Sequence, residues 1–200
     1  PTAVAAKGAP FLFFPVRSGP ETGIRNWLSA HGGLIDGFER KSLRQWKQDN
    51  PGHRSFTVLR HPLLRAYLAF QTQIVSGRLA EQRRNLIRDY RASLPDPGEV
   101  FADVAAERAA FLVFLHYARL AVSGQSGQRV DPNLASQTAI VQGFASFHPP
   151  DMVIREDRLP NALAWLESEV GVAPVASPPS DPAPEGLAAI CDDEVDDACI

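Results

Sequence analysis

Cysteine is scarce in this chain, and its placement is informative. Both cysteines, Cys191 and Cys199, fall in the last ten of 200 residues. No disulfide framework can staple the body, and a reducing, cytoplasmic setting is the expectation. With no histidines clustered beside them, they make no metal site. Methionine occurs once, at Met152, and the chain begins at Pro1, so removal of an initiator methionine is expected. Apolar runs are short, and none approaches the ~18 residues that span a bilayer. The run Phe11-Leu12-Phe13-Phe14 has no charged region before it and no small-residue cleavage site after it, unlike a secretory signal. Lysine is the remaining scarcity. Arginine outnumbers it 17 to 3, and arginine can grip a phosphate or carboxylate through two parallel hydrogen bonds where lysine cannot.

What is present is ordinary globular material: 44% hydrophobic and 22% charged residues, enough for one well-buried core and short for two. The net charge of −3 is unevenly spread, with 18 Lys+Arg against 10 Asp+Glu in residues 1–130 and 2 against 13 in residues 131–200. A basic body suits an anionic ligand, and equally a set of solvated arginine-rich helices.

Hydrophobic periodicity organises the chain. Ala9 to Val16 reads as a buried strand, broken by Arg17-Ser18-Gly19-Pro20 and followed by a helix from Glu21 to Ala30 with Ile24, Trp27 and Leu28 on one face. A short strand is expected near Leu34 to Phe38, and another from Ser55 to Leu59. Pro62 suits a first helical position, and Leu64, Tyr67, Leu68 and Ile74 then recur at helical spacing. Helices are expected over Leu79–Ala92, Val100–Val122 (core stripe Phe101, Val104, Phe111, Leu112, Leu115), Asn133–Phe147 and Pro160–Val170. A Gly/Ser/Gln loop covers Ser123–Arg129, a short strand Met152–Ile154, and Gly171 supplies the last helix's stop. Strands separated by helices imply an α/β domain, a small parallel sheet flanked by helices, with a helix-rich C-terminal half. The expected divisions are one domain over 1–172, a proline-rich connection over 173–186 and a C-terminal helix over 187–200.

Four segments can carry chemistry. The loop Arg17 to Gly23 lies between a strand and a helix, where backbone N–H groups and the helix dipole favour an anion. Arg17 adds charge, and Ser18 or Thr22 a hydroxyl. The loop lacks the Gly-Lys-Ser/Thr of a nucleotide kinase. Arg60, at the carboxyl end of a strand, can aim a planar fork at a phosphate. Arg65 can reach the same ligand or sit in a surface salt bridge, and His61 reads as a packed or capping residue. Ser136 and Gln137 form a polar pair on an apolar helix, and Arg155 to Arg158 are charges after a strand, where helix capping is the plain reading.

Together these segments resemble the family-two sulfotransferases, which include carbohydrate sulfotransferases and bacterial nodulation-type relatives. Phe56 to Phe70, with Arg60-His61-Pro62-Leu63-Leu64-Arg65 at its centre, is similar to the family's strand ending in Arg-x-Pro-x-x-Arg. Phe111 to Leu115 resembles its Phe-x-x-Phe helix, Ser136-Gln137 its Pro-Gln position, and Val153 to Leu159 its strand followed by Glu-x-Leu. Order and spacing hold over roughly Phe11 to Ile200. Two departures stand out. Pro15 to Gly23 has no counterpart of the family's loop lysine, Arg17 being the nearest cation, and Leu68 stands where the family has a serine. The chain also stops inside what resembles the family's C-terminal helix.

The resemblance implies a three-layer, P-loop-like fold and the sulfuryl donor 3′-phosphoadenosine 5′-phosphosulfate, with no metal. Arg17, Ser18, Gly19, Thr22 and Gly23 would then hold the donor's 5′-phosphate and sulfate, with Arg60 and Arg65 at the 3′-phosphate. Arg17 would stand in for the lysine, and a general base would deprotonate the acceptor, with Glu21, His31, His61 and His148 as candidates. The expected partner is a hydroxyl-bearing carbohydrate or small metabolite, with neither a nucleic acid nor a membrane span. The alternatives are a catalytically degenerate scaffold that binds a nucleotide, anionic metabolite or protein, and an unrelated nucleotide kinase.

Overall fold

A computed structural model of the chain describes residues 3–37, 42–126, 130–146, 148–176 and 184–199. Phe38, Arg129, Phe147 and residues 177–183 of the expected connection lie outside them. The chain is mixed α/β and groups into two compact units, residues 1–60 with 137–181 and residues 61–136 with 182–200. This grouping is discontinuous, whereas the expected divisions ran along the chain.

The first unit is built on a five-stranded sheet of β1 (Val4–Ala6), β2 (Phe11–Phe14), β3 (Leu34–Asp36), β4 (Arg54–Leu59) and β5 (Met152–Arg155), in the order β3-β1-β2-β4-β5. β2 pairs parallel with β4, and β4 with β5, while β1 is antiparallel to both β2 and β3. The sheet is therefore mixed, where a parallel one was expected, because β1 and β2 follow each other through the short connection Lys7 to Pro10. A turn that short can join only antiparallel neighbours.

Alternation along the strands buries two different faces. Phe11, Phe13, Phe56, Val58 and Ile154 pack with Ile24, Trp27 and Leu28 of α1 (Thr22–Ala30) and with Leu159, Leu163 and Leu166 of α7 (Leu159–Val170). Leu12 and Phe14 point the other way, towards Trp46 of α2 (Leu43–Asp49) and Phe144 of α6 (Gln137–Ala145). α2 begins with a capping box in which Ser42 and Gln45 satisfy each other's backbone N–H. Gly171 ends α7 in the left-handed conformation at φ 71°, as its position suggested.

The second unit is helical, with α3 (Pro62–Ala69), a π-helical turn (Phe70–Val75), α4 (Ala80–Asp89), α5 (Val104–Val122), α8 (Glu185–Ile190) and α9 (Asp193–Cys199). Its core gathers Leu63, Tyr67, Phe70, Ile74, Phe111, Phe114, Leu115 and Tyr117, with Leu187, Ile190 and Val195 added from the C-terminal helices. The expected stripe on α5 is corrected in part: Val104 is 49% exposed, and Phe114 and Tyr117 are buried. The single C-terminal helix expected over 187–200 is two short ones, interrupted at Cys191. No helix among the described residues is long and apolar enough to cross a membrane.

Candidate anion-binding site

The carboxyl ends of the parallel strands set the candidate site. β2 ends at Phe14, whose carbonyl accepts a 2.8 Å bond from the Thr57 hydroxyl of β4. The chain then turns tightly, the N–H of Gly19 closing onto the carbonyl of Val16 at 2.9 Å. A Cβ on residue 19 would lie 2.8 Å from that same oxygen, so the turn admits only glycine there. Ser18 takes a positive φ of 58°, an uncommon conformation for a residue with a side chain. Arg17 is exposed, Ser18 and Gly19 half-buried, and Thr22 and Gly23 lie in the first turn of α1.

α1 has no side-chain cap at its amino end. Glu21, the N-cap residue, instead turns its carboxylate to Arg25, whose Nε donates at 2.7 Å; the same guanidinium also donates to Asp36 at 2.7 Å. These partners raise the Arg25 pKa above its ordinary value, the Asp36 bond contributing most.

Arg60 follows the last residue of β4 and is buried, at 5% exposure. Its Nη1 lies 3.4 Å from the carbonyl oxygen of Ser18, so the guanidinium and the Arg17–Gly23 turn meet at the same end of the sheet. Strand register supplies its main partner. Leu59 pairs with Arg155, so the residues one step beyond, Arg60 and Glu156, fall side by side. Arg60 Nε donates to Glu156 Oε2 at 2.8 Å and Nη2 to Oε1 at 2.7 Å, a two-pronged ion pair. The backbone is fixed as well: the N–H of Arg60 donates to Gln137 Oε1 at 3.0 Å, and Gln137 Nε2 donates back to the Arg60 carbonyl at 2.8 Å.

Comparison with known proteins finds no matching family model, no matching curated protein and no matching solved structure. Any assignment therefore stands on the residues themselves.

Of the expected site residues, the structure brings together Arg17, Ser18, Gly19, Glu21, Thr22, Gly23 and Arg60. Three others need correction. His31, expected as a base near the turn, lies at the opposite end of α1, about 13 Å along the axis at ~1.5 Å per residue. There it is a packing residue, 7% exposed, flanked by the rings of Phe11 and Trp27. Its Nδ1 donates to the Trp27 carbonyl at 3.0 Å. Its Nε2 stands 3.3 Å from Glu167 Oε1 but off the line of a hydrogen bond. His148 lies beside Ser55 and Asp151, at the amino ends of β4 and β5 and so at the wrong end of the sheet.

Arg65 belongs to the helical unit, where it is 7% exposed and donates to the carbonyls of Ala135 at 2.9 Å and Asn133 at 3.4 Å. It is a buried cross-link, where a surface ion pair was one of the expectations, and burial lowers its pKa. His61 is exposed at the N-cap of α3, without a side-chain cap bond.

Sequence reasoning missed Glu156 and Gln137 as parts of this site. Both lie in segments that can carry chemistry, but only the β4–β5 register for Glu156, and the backbone hydrogen bonds for Gln137, show that they hold Arg60. Among the described residues no group of three or more His, Cys, Asp or Glu is arranged to hold a metal ion.

Proposed function

We propose that the Arg17–Gly23 turn and Arg60 bind 3′-phosphoadenosine 5′-phosphosulfate, and that the protein transfers its sulfuryl group to a hydroxyl of a glycan or small metabolite. The proposal includes the finer fold expectation, a P-loop-like three-layer domain. The observation that carries it is the 3.4 Å approach of Arg60 Nη1 to the Ser18 carbonyl. Two anion-seeking features, far apart in sequence, share one rim of a parallel strand pair, where ligands of open α/β sheets gather.

In the reaction the acceptor oxygen attacks sulfur in line with the bridging oxygen of the donor. The bond from sulfur to that oxygen breaks, its electron pair stays on 3′-phosphoadenosine 5′-phosphate, and the acceptor's proton passes to a base. The chain's part is positioning and charge stabilisation. Backbone N–H groups at the start of α1 and the Arg17 guanidinium would face the developing charge, with Arg17 in the role of the family's lysine. Glu21 is the base candidate that sits at the turn, with its carboxylate bonded to Arg25.

Calorimetry with 3′-phosphoadenosine 5′-phosphate tests the proposal. Binding is expected, and Arg60→Ala, checked for folding by circular dichroism, should weaken it by about 1.5–3 kcal/mol, the range for a hydrogen bond to a charged group. No binding at millimolar nucleotide would remove the reading.

The two-pronged hold of Glu156 on Arg60 favours a second reading, a scaffold that binds the nucleotide without catalysing transfer. Nucleotide binding with no transfer to a broad panel of acceptors would select it.

A further inference from the structure

The arrangement around Arg60 has an unusual feature for an anion site. A guanidinium recognises a tetrahedral oxyanion best through two parallel N–H groups on one edge. In this protein the edge formed by Nε and Nη2 is filled by a carboxylate of the same chain, Glu156, at 2.8 and 2.7 Å. Both side chains are removed from water, at 5% and 10% exposure. The ion pair has no net charge, so Arg60 exerts little long-range pull on a small anion. An oxyanion entering that edge would also have to displace Glu156 and leave its carboxylate buried without a partner. Nη1, by contrast, is directed at the turn through its contact with the Ser18 carbonyl.

We propose that Glu156 is a specificity-determining residue. By filling the two-pronged edge of Arg60 it keeps free sulfate and phosphate out of the site, so that only a larger ligand, held also by the turn, gains the contact with Nη1. The inference rests on the reading of the turn and Arg60 as an anion site, and it concerns which anions that site accepts.

The test uses inorganic sulfate as the probe, read by thermal unfolding at constant ionic strength with chloride as the balancing salt. The wild-type protein is expected to show little sulfate-specific stabilisation. Glu156→Gln keeps an acceptor for Arg60 but removes the charge, and should bind sulfate at least about tenfold more tightly. The gain should vanish in the double variant Arg60→Ala/Glu156→Gln, which strands no charge. A purely structural role for Glu156 would lower stability without making it depend on sulfate. Equal sulfate responses in wild type and Glu156→Gln, or a gain that survives loss of Arg60, would overturn the proposal.

If Glu156→Gln does not fold, Glu156→Asp draws the carboxylate back by one methylene and should give a smaller gain, with no gain counting against the proposal. Nucleotide calorimetry on the wild type separates the two claims. Sulfate gain in Glu156→Gln without nucleotide binding supports this inference and sinks only the sulfotransferase reading. Nucleotide binding that depends on Arg60, without the sulfate gain, sinks this inference and leaves that reading intact.

Discussion

The two units bury arginine in different ways. In the sheet unit Arg60 is held by the carboxylate of Glu156, an acceptor that is itself charged and stands in the 3-10 turn just after β5. In the helical unit Arg83, 8% exposed, donates to the backbone carbonyls of Ile74, Val75 and Pro95. The first is a side-chain pair in which either member can be removed together with the other. The second ties the carbonyls of Ile74 and Val75, at the end of the π-helical turn, to that of Pro95 further along the chain, and substitution cannot remove its acceptors. A charged acceptor also competes with outside anions for the guanidinium, and backbone carbonyls do so more weakly. The paired arginine is thus suited to a tunable site, and the carbonyl-bound one to holding a shape.

The largest expected effect breaks the pair from one side. Arg60→Met leaves Glu156 buried without its cation and should cost about 3–5 kcal/mol in urea unfolding, whereas Arg60→Met/Glu156→Leu should recover most of that loss. If the double variant is as unstable as the single one, charge pairing is not what holds this corner. The corresponding change in the helical unit is Arg83→Met, which keeps the aliphatic stem and removes the guanidinium donor from these carbonyls. A loss of about 1–3 kcal/mol is expected, and no second side-chain change should restore it. A loss within experimental error would show that water satisfies those carbonyls equally well.

This contrast also marks what can be read from a sequence. Local signals located β2, β4, β5, α1, α3 and α7, since continuous apolar runs, Pro62 and Gly171 act within a few residues of where they stand. β1 was missed because Val4-Ala5-Ala6 is short and alanine-rich, with little strand character of its own. It exists because its neighbours β2 and β3 complete its hydrogen bonds on both sides. α2 could have been found, since Ser42 and Gln45 carry the spacing of a capping box. Within the site, the turn and Arg60 were legible as strand-end features. Glu156 was not, because its meeting with Arg60 is a product of register between β4 and β5, nearly a hundred residues apart. The carbonyl targets of Arg65 and Arg83 were hidden for a related reason: backbone acceptors leave no mark in residue identity.

A smaller effect separates the two ends of the sheet. At the amino ends of β4 and β5, Asp151 accepts from the N–H of Ser55 at 2.7 Å and from its hydroxyl at 2.7 Å, with Lys47 3.9 Å away. Partial burial pushes the Asp151 pKa up, but the two Ser55 bonds and the Lys47 charge outweigh it and hold the carboxyl below its ordinary value. A carboxyl whose pKa is lower folded than unfolded contributes stability that is fully present above the unfolded value, about 4. That contribution disappears as pH falls through the folded value. Asp151 is 45% exposed, so solvent limits the effect to under about 1 kcal/mol. Ser55→Ala should therefore reduce the acid loss of stability measured by urea unfolding between pH 5 and 3. Identical acid profiles for wild type and Ser55→Ala would mean that the hydroxyl bond at this end of the sheet does not hold Asp151 ionised.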